Sequence, residues 1–135
     1  MTEAAQKLLE KASRAISAAL SLLERNDIDF AAGRTYYAMF YTTEALLNEK
    51  GVHFGKHGSL HSAFGEHFVK TGLMDKKFHR WLLDAYDKRI LGDYGIESTL
   101  THDDVKSMIE RAEEFLLVAR KYFELGSTST VHNLI

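Results

Sequence analysis

The sequence predicts an all-α protein, an up-and-down bundle of four to five helices, and three observations carry that expectation. None of its 135 residues is proline, whereas a β-sandwich or barrel of this size normally places several prolines in turns and at sheet edges. Apolar residues recur at steps of three and four along successive segments, the period of a helix with one buried stripe. No segment shows a convincing strand-like alternation. With 45% hydrophobic and 27% charged residues, the composition excludes disorder for most of the chain.

The first helix is predicted from about Thr2 to Arg25, with Ala5, Leu8, Leu9, Ala12, Ile16, Ala19, Leu20 and Leu23 on one stripe. Asn26 or Asp27 is placed to cap the next helix by accepting from its free amides. That second helix runs from about Ile28 to Lys50 and stops at Gly51, a residue suited to a left-handed terminal position. Its middle, Tyr36 to Tyr41, is apolar or aromatic on every side, as expected of a central helix or one in a dimer interface. A loop from Gly51 to Gly58 precedes a shorter helix, Ser59 to Thr71, with Leu60, Phe64 and Phe68 inward and Gly72 at its end. Asp75 caps a fourth helix carrying Phe78, Trp81, Leu82 and Ala85. The pattern breaks from Gly92 to Thr101. Thr101 and Asp104 then resemble a reciprocal cap at the start of a fifth helix, whose stripe runs from Val105 to Phe123. Residues 1–126 are expected to form one domain and residues 127–135 a flexible tail.

Composition removes several function classes. Without cysteine there is no disulfide framework, thiolate metal site or cysteine nucleophile, which suits a reducing compartment. A net charge of −2 gives no global basic field for nucleic acid, though a local cluster remains open. No segment reads as a signal peptide or membrane span, so the expected location is the cytoplasm and no membrane partner is expected. Neither a zinc-protease HExxH, a phosphate-binding Gly-Lys-Ser loop nor a G-x-S-x-G elbow is present.

Two clusters remain. At 100° per residue, Phe78, Leu82 and Ala85 lie close to one direction and Arg89 falls among them. A guanidinium amid apolar neighbours needs an anionic partner, because an unpaired charge removed from water costs several kcal/mol. Asp93, one turn on, can supply it. If the pair is buried, Arg89→Ala strands Asp93 and costs about 3 kcal/mol or more; if it faces an open groove, binding is lost instead. On the second helix Phe30, Arg34, Tyr37 and Tyr41 share a face, a composition suited to phosphate contact and base stacking and equally to core tyrosines beside a snorkelling arginine. Among seven histidines, His53, His57 and His61 could approach a metal, but glycines at 55 and 58 break the helix this needs. His57 is expected at the start of the third helix, holding the loop. No metal or cofactor is assigned, and no residue is assigned as catalytic.

The run from Arg34 through Tyr36-Tyr37-Ala38-Met39-Phe40-Tyr41 to Glu44-Ala45-Leu46-Leu47 resembles helix two of small bacterial and archaeal HEPN proteins. The similarity continues through His57-Gly58, Phe64 to Phe68, Lys70 to Gly72, Arg89 to Tyr94, and Ala112 to Leu116, covering about residues 5 to 125. The resemblance implies a HEPN-like bundle, often dimeric, frequently encoded beside a minimal nucleotidyltransferase as a toxin–antitoxin pair. Active members are metal-independent ribonucleases with an arginine followed, after four to six residues, by a histidine. Arg89 matches that arginine. Tyr94, Gly95 and Ile96 occupy the histidine positions, and a phenol, which holds its proton until about pH 10, exchanges protons poorly near neutrality. The expectation is therefore a homodimer that acts as a toxin-like or regulatory partner of a nucleotidyltransferase. It would bind nucleotide or RNA through a groove built from Arg89, Asp93, Tyr94, Arg34, Tyr37, Tyr41 and His57. A ribonuclease in which His57 or His102 supplies the imidazole competes with it, as does a helical interaction module without ligand.

Overall fold

The computed structural model describes residues 1–52, 57–95 and 98–126. The expected tail, residues 127–135, and His53 of the possible metal set lie outside the described residues. Five helices, and no strand among the described residues, follow in the order α1 (Glu3–Glu24), α2 (Ile28–Glu49), α3 (His57–Phe64), α4 (Lys76–Tyr94) and α5 (His102–Gly126). A π-helical turn, Gly65–Val69, extends α3.

Helix α1 starts where the Thr2 hydroxyl accepts from the Ala5 amide at 3.0 Å. It buries Ala5, Leu9, Ala12, Ile16, Ala19 and Leu23, and three small alanines in that stripe let α2 approach closely. Leu20, expected on the stripe, is 47% exposed because its angular position lies about 60° from the stripe's centre. The α1–α2 turn corrects the expected cap. Asn26 adopts φ 67°, its amide donating to the Leu23 carbonyl and that of Asp27 to Leu22, so it terminates α1 in a Schellman turn. The Asp27 carboxylate accepts from Arg25 Nε at 2.9 Å instead of capping α2.

Helix α2 is central, buried over more than half its circumference and packed against α1, α3, α4 and α5. Thr35, Thr42 and Thr43 are buried there because each hydroxyl donates to the carbonyl four residues back, at 2.7–2.9 Å, leaving only methyl surface for packing. Gly51 ends α2 at φ 75° as expected.

The third helix is not uniform. It begins at His57, two residues before the expected start, and widens at Gly65, where the His79 ring packs so closely that a Cβ would sit 3.2 Å from Nε2. His79 Nε2–H donates to the His61 carbonyl at 3.1 Å. Phe64 and Phe68 hold this segment on Phe115 and Tyr122 of α5.

Asp75 caps α4 through the Lys77 amide at 2.8 Å, and the helix runs through Gly92 to Tyr94 rather than breaking at Gly92. Gly92 marks a crossing: a Cβ there would lie 3.2 Å from the Asp29 carbonyl oxygen and 3.4 Å from its Cα. Gly92→Leu must force α2 and α4 apart, and a loss of about 1–3 kcal/mol is expected in urea unfolding. At the start of α5, Thr101 N–H donates to Asp104 Oδ2 at 3.0 Å and Asp104 N–H to Thr101 Oγ1 at 3.1 Å. Hydrogen bonding to Thr101, through its backbone amide first and its side chain second, holds the Asp104 carboxyl below its usual range.

Candidate functional site

Three helices converge on Arg89. Phe78, Leu82 and Ala85 bury one face of α4, and the next step along that face carries the guanidinium into the angle between α2 and α3. Arg89 Nε donates to Asp93 Oδ2 at 2.9 Å; its side chain is 16% exposed and that of Asp93 37%. The guanidinium carbon stands 5.9 Å from the Tyr36 ring centre and 5.3 Å from that of Tyr37. The predicted partner therefore answers the charge, and two aromatic faces complete the seat. Asp93 is open enough to be hydrated, so removing Arg89 strands no buried carboxylate and the larger stability loss does not apply.

Behind the arginine lies a buried hydrogen-bond relay. The fully buried Tyr36 has its hydroxyl 2.8 Å from His57 Nδ1 and 2.8 Å from His61 Nε2. A phenol has one hydrogen, so Tyr36 donates to one imidazole and accepts an N–H from the other; the two tautomers are tied together. Tyr86 of α4 closes the cluster, its ring 5.4 Å from Tyr36 and 5.1 Å from His61.

Burial raises the Tyr36 phenol, against the opposing pull of Arg89. Burial, followed by the charge of Arg89, lowers His57. His61 is lowered to about 4 by burial, then by its neighbours His57 and His79, with Asp87 opposing. Both imidazoles are neutral at pH 7, and among the described residues the cation that rests on the Tyr36 ring is Arg89.

The structure thus gathers Arg89, Asp93, Tyr37 and His57 of the predicted set. Arg34 is exposed and joins through Tyr37, with its guanidinium carbon 5.0 Å from the ring centre. Tyr41 follows, 5.9 Å from Tyr37 and under the Lys11 ammonium. Tyr94 stands apart, 73% exposed at the end of α4. His102 is exposed at the first residue of α5. The sequence assigns no role to Tyr36 or Tyr86 and offers His61 only as a possible metal ligand. The one available signal was the i, i+4 spacing of His57 and His61, and what these share is the Tyr36 hydroxyl. Among the described residues no three histidine, aspartate or glutamate side chains converge as a metal site, and no helix is long and apolar enough to cross a membrane.

Comparison with known proteins places the chain in a family. The HEPN domain profile matches residues 5–122. A UPF0332 protein of Thermotoga maritima is 35% identical over 123 residues, spanning 88% of this chain and 93% of its own. A Gloeobacter violaceus relative, UPF0332 protein glr0978, is 33% identical, with 90% and 98% covered. A Methanocaldococcus jannaschii protein bearing the name "Putative toxin MJ0142" is 31% identical, with 87% and 80% covered. With a match over nearly its whole length and the bundle in place, the chain belongs to the HEPN domain family.

Proposed function

We propose that this protein is a toxin-like HEPN protein that binds nucleotide or RNA at Arg89, acting as a homodimer and as the partner of a minimal nucleotidyltransferase. The toxin-like role is supported by the name of the M. jannaschii relative. The observation that carries the binding role is the seat of Arg89: a guanidinium 16% exposed, held through Nε and two ring faces. Among the described residues its terminal nitrogens have no partner. An incoming phosphate can take them in the bidentate geometry that guanidinium favours. The aromatic walls lower the local dielectric and strengthen the contact.

Titrating wild type and Arg89→Ala with AMP and with a short single-stranded RNA tests this. The variant is expected to bind at least tenfold more weakly while losing only about 1 kcal/mol of stability, the scale of a cation–aromatic contact. Equal affinity in the two proteins overturns the assignment.

A ribonuclease reading has one observation in its favour: His57 Nδ1 lies 2.8 Å from the hydroxyl of Tyr36, the ring on which Arg89 rests. When Tyr36 donates to His61, His57 Nδ1–H donates to Tyr36 and His57 Nε2 becomes the basic nitrogen, able to take a proton from a ribose 2′-hydroxyl. Chelator-insensitive RNA cleavage, abolished by both Arg89→Ala and His57→Ala, selects this reading. No cleavage by wild type, or cleavage surviving His57→Ala, removes it.

A further inference from the structure

A second cationic site lies one helix away from Arg89. Between α1 and α2 a cleft of about 150 Å³ is lined by Lys11, Arg14, Ala15, Ala18, Arg34 and Tyr41. Three of its six lining residues are cations and none is a carboxylate. Lys11, Arg14 and Arg34 are all exposed, and none takes part in the ion pairs formed among the described residues. In a chain with 19 acidic and 17 basic residues, three neighbouring cations with no carboxylate among them are a local reversal of the overall charge.

This cleft is joined to the Arg89 seat by an alternation of cations and rings. Arg89 lies over Tyr37 at 5.3 Å, Arg34 over the same ring at 5.0 Å, and Tyr37 is 5.9 Å from Tyr41. Lys11 lies over Tyr41 at 4.6 Å. The helical register explains the arrangement: Lys11 and Arg14, three apart on α1, meet Arg34 and Tyr41, seven apart on α2, with Ala15 and Ala18 leaving the space between. Resting on ring faces holds the ammonium and guanidinium groups in place without neutralising them, so less side-chain freedom is lost when an anion arrives.

We infer that Lys11, Arg14, Arg34 and Tyr41 form a track for the sugar–phosphate backbone of single-stranded RNA, continuous through Tyr37 with the Arg89 seat. This rests on the reading that Arg89 takes a nucleotide phosphate, and it names the ligand as an oligonucleotide rather than a mononucleotide. Lys11 rests on Tyr41 while Arg89 rests on Tyr36 and Tyr37, so the cations of the cleft and of the seat are separate groups that a strand, rather than one phosphate, would span. Interleaved tyrosines suit a strand whose bases can stack; an acidic peptide would use the cations and leave the rings idle.

The test compares wild type, Lys11→Glu/Arg14→Glu and Arg89→Ala, using a fluorescein-labelled 12-nucleotide single-stranded RNA and AMP across a range of salt. Both reversed residues are exposed, and thermal melting confirms that the double variant is folded. The double variant is expected to bind the oligonucleotide at least tenfold more weakly, with the slope of log affinity against log salt shallower by about 1.4, two single-strand phosphate contacts' worth. AMP affinity should stay within twofold of wild type. Unchanged oligonucleotide affinity overturns the track and leaves the Arg89 reading intact. Polyglutamate bound as tightly as the RNA, and lost in the same variant, overturns it in favour of an acidic protein partner. Oligonucleotide binding that is weakened by Lys11→Glu/Arg14→Glu but unchanged by Arg89→Ala means that the Arg89 reading fails, and with it the continuity of the track, leaving only the cleft.

Discussion

Replacing Phe115 by alanine will lower the stability of the fold by about 3–5 kcal/mol, the range for truncating a fully buried phenylalanine. Phe115 is 1% exposed and stands where three elements meet. Its ring stacks on Phe78 of α4 at 5.2 Å and meets Phe64 of α3 edge-on at 5.5 Å. The cavity left by truncation would be walled by side chains from three helices that cannot all collapse inward at once, which puts the cost at the upper part of the range. Phe115→Leu leaves most of that space filled and is expected to cost less than half as much. Urea unfolding reads both variants through the single tryptophan, Trp81, which lies edge-on to Phe78 at 5.4 Å. A loss under about 1 kcal/mol for the alanine variant would mean that α3 does not depend on this contact. The consequence reaches the site, because the helix seated on Phe115 carries His57 and His61.

What could be read in advance and what could not divides along the distance in sequence between the groups involved. Arg89 was legible because a period of 3.6 places it among Phe78, Leu82 and Ala85, and its partner Asp93 lies one turn away. The Thr101–Asp104 cap was legible for the same reason, each group satisfying the other's amide within four residues. Asn26 was misassigned because asparagine serves both as a helix start and in the left-handed terminal position, and local sequence does not separate the two. Gly92 looked like a breaker, since its purpose is the backbone of Asp29, far back in the chain. The relay on Tyr36 needs α3 to fold across α2 and bring His57 and His61 to one hydroxyl. Nothing in the order of residues announces that approach. A tyrosine in an aromatic run reads as core, which Tyr36 is; that its hydroxyl also ties two imidazoles follows only from the tertiary packing. The close fit at Gly65 is hidden in the same way, because what packs on it is the His79 ring from the next helix.

The same relay makes the fold sensitive to mild acid. His61 takes up a proton at about pH 4 when folded, against an ordinary value of 6.5, because burial and the nearby His57 and His79 disfavour the imidazolium more than Asp87 favours it. Between these two values the unfolded chain binds a proton at this position and the folded chain does not. Stability contributed by the neutral, buried imidazole is therefore complete above about pH 6.5 and declines as the pH falls towards 4, with no further loss from this group below that. A displacement of this size corresponds to about 3 kcal/mol, a large share of the 5–15 kcal/mol typical of a small domain. His57, shifted in the same direction by burial and Arg89, adds to the decline. Asp104, whose carboxyl is lowered, acts below the ordinary carboxylate range and leaves the window from pH 6.5 to 4.5 to the histidines. Urea midpoints measured at half-unit steps should fall steadily through that window, and His61→Gln, whose amide can still bond the Tyr36 hydroxyl without titrating, should flatten most of the slope. An equally steep slope in His61→Gln would place the acid sensitivity elsewhere. The physical link to function is that a neutral His57–Tyr36–His61 relay adds no positive charge beside Arg89. Protonating either imidazole there sets like charges against the guanidinium inside a space that burial has already made costly for charge.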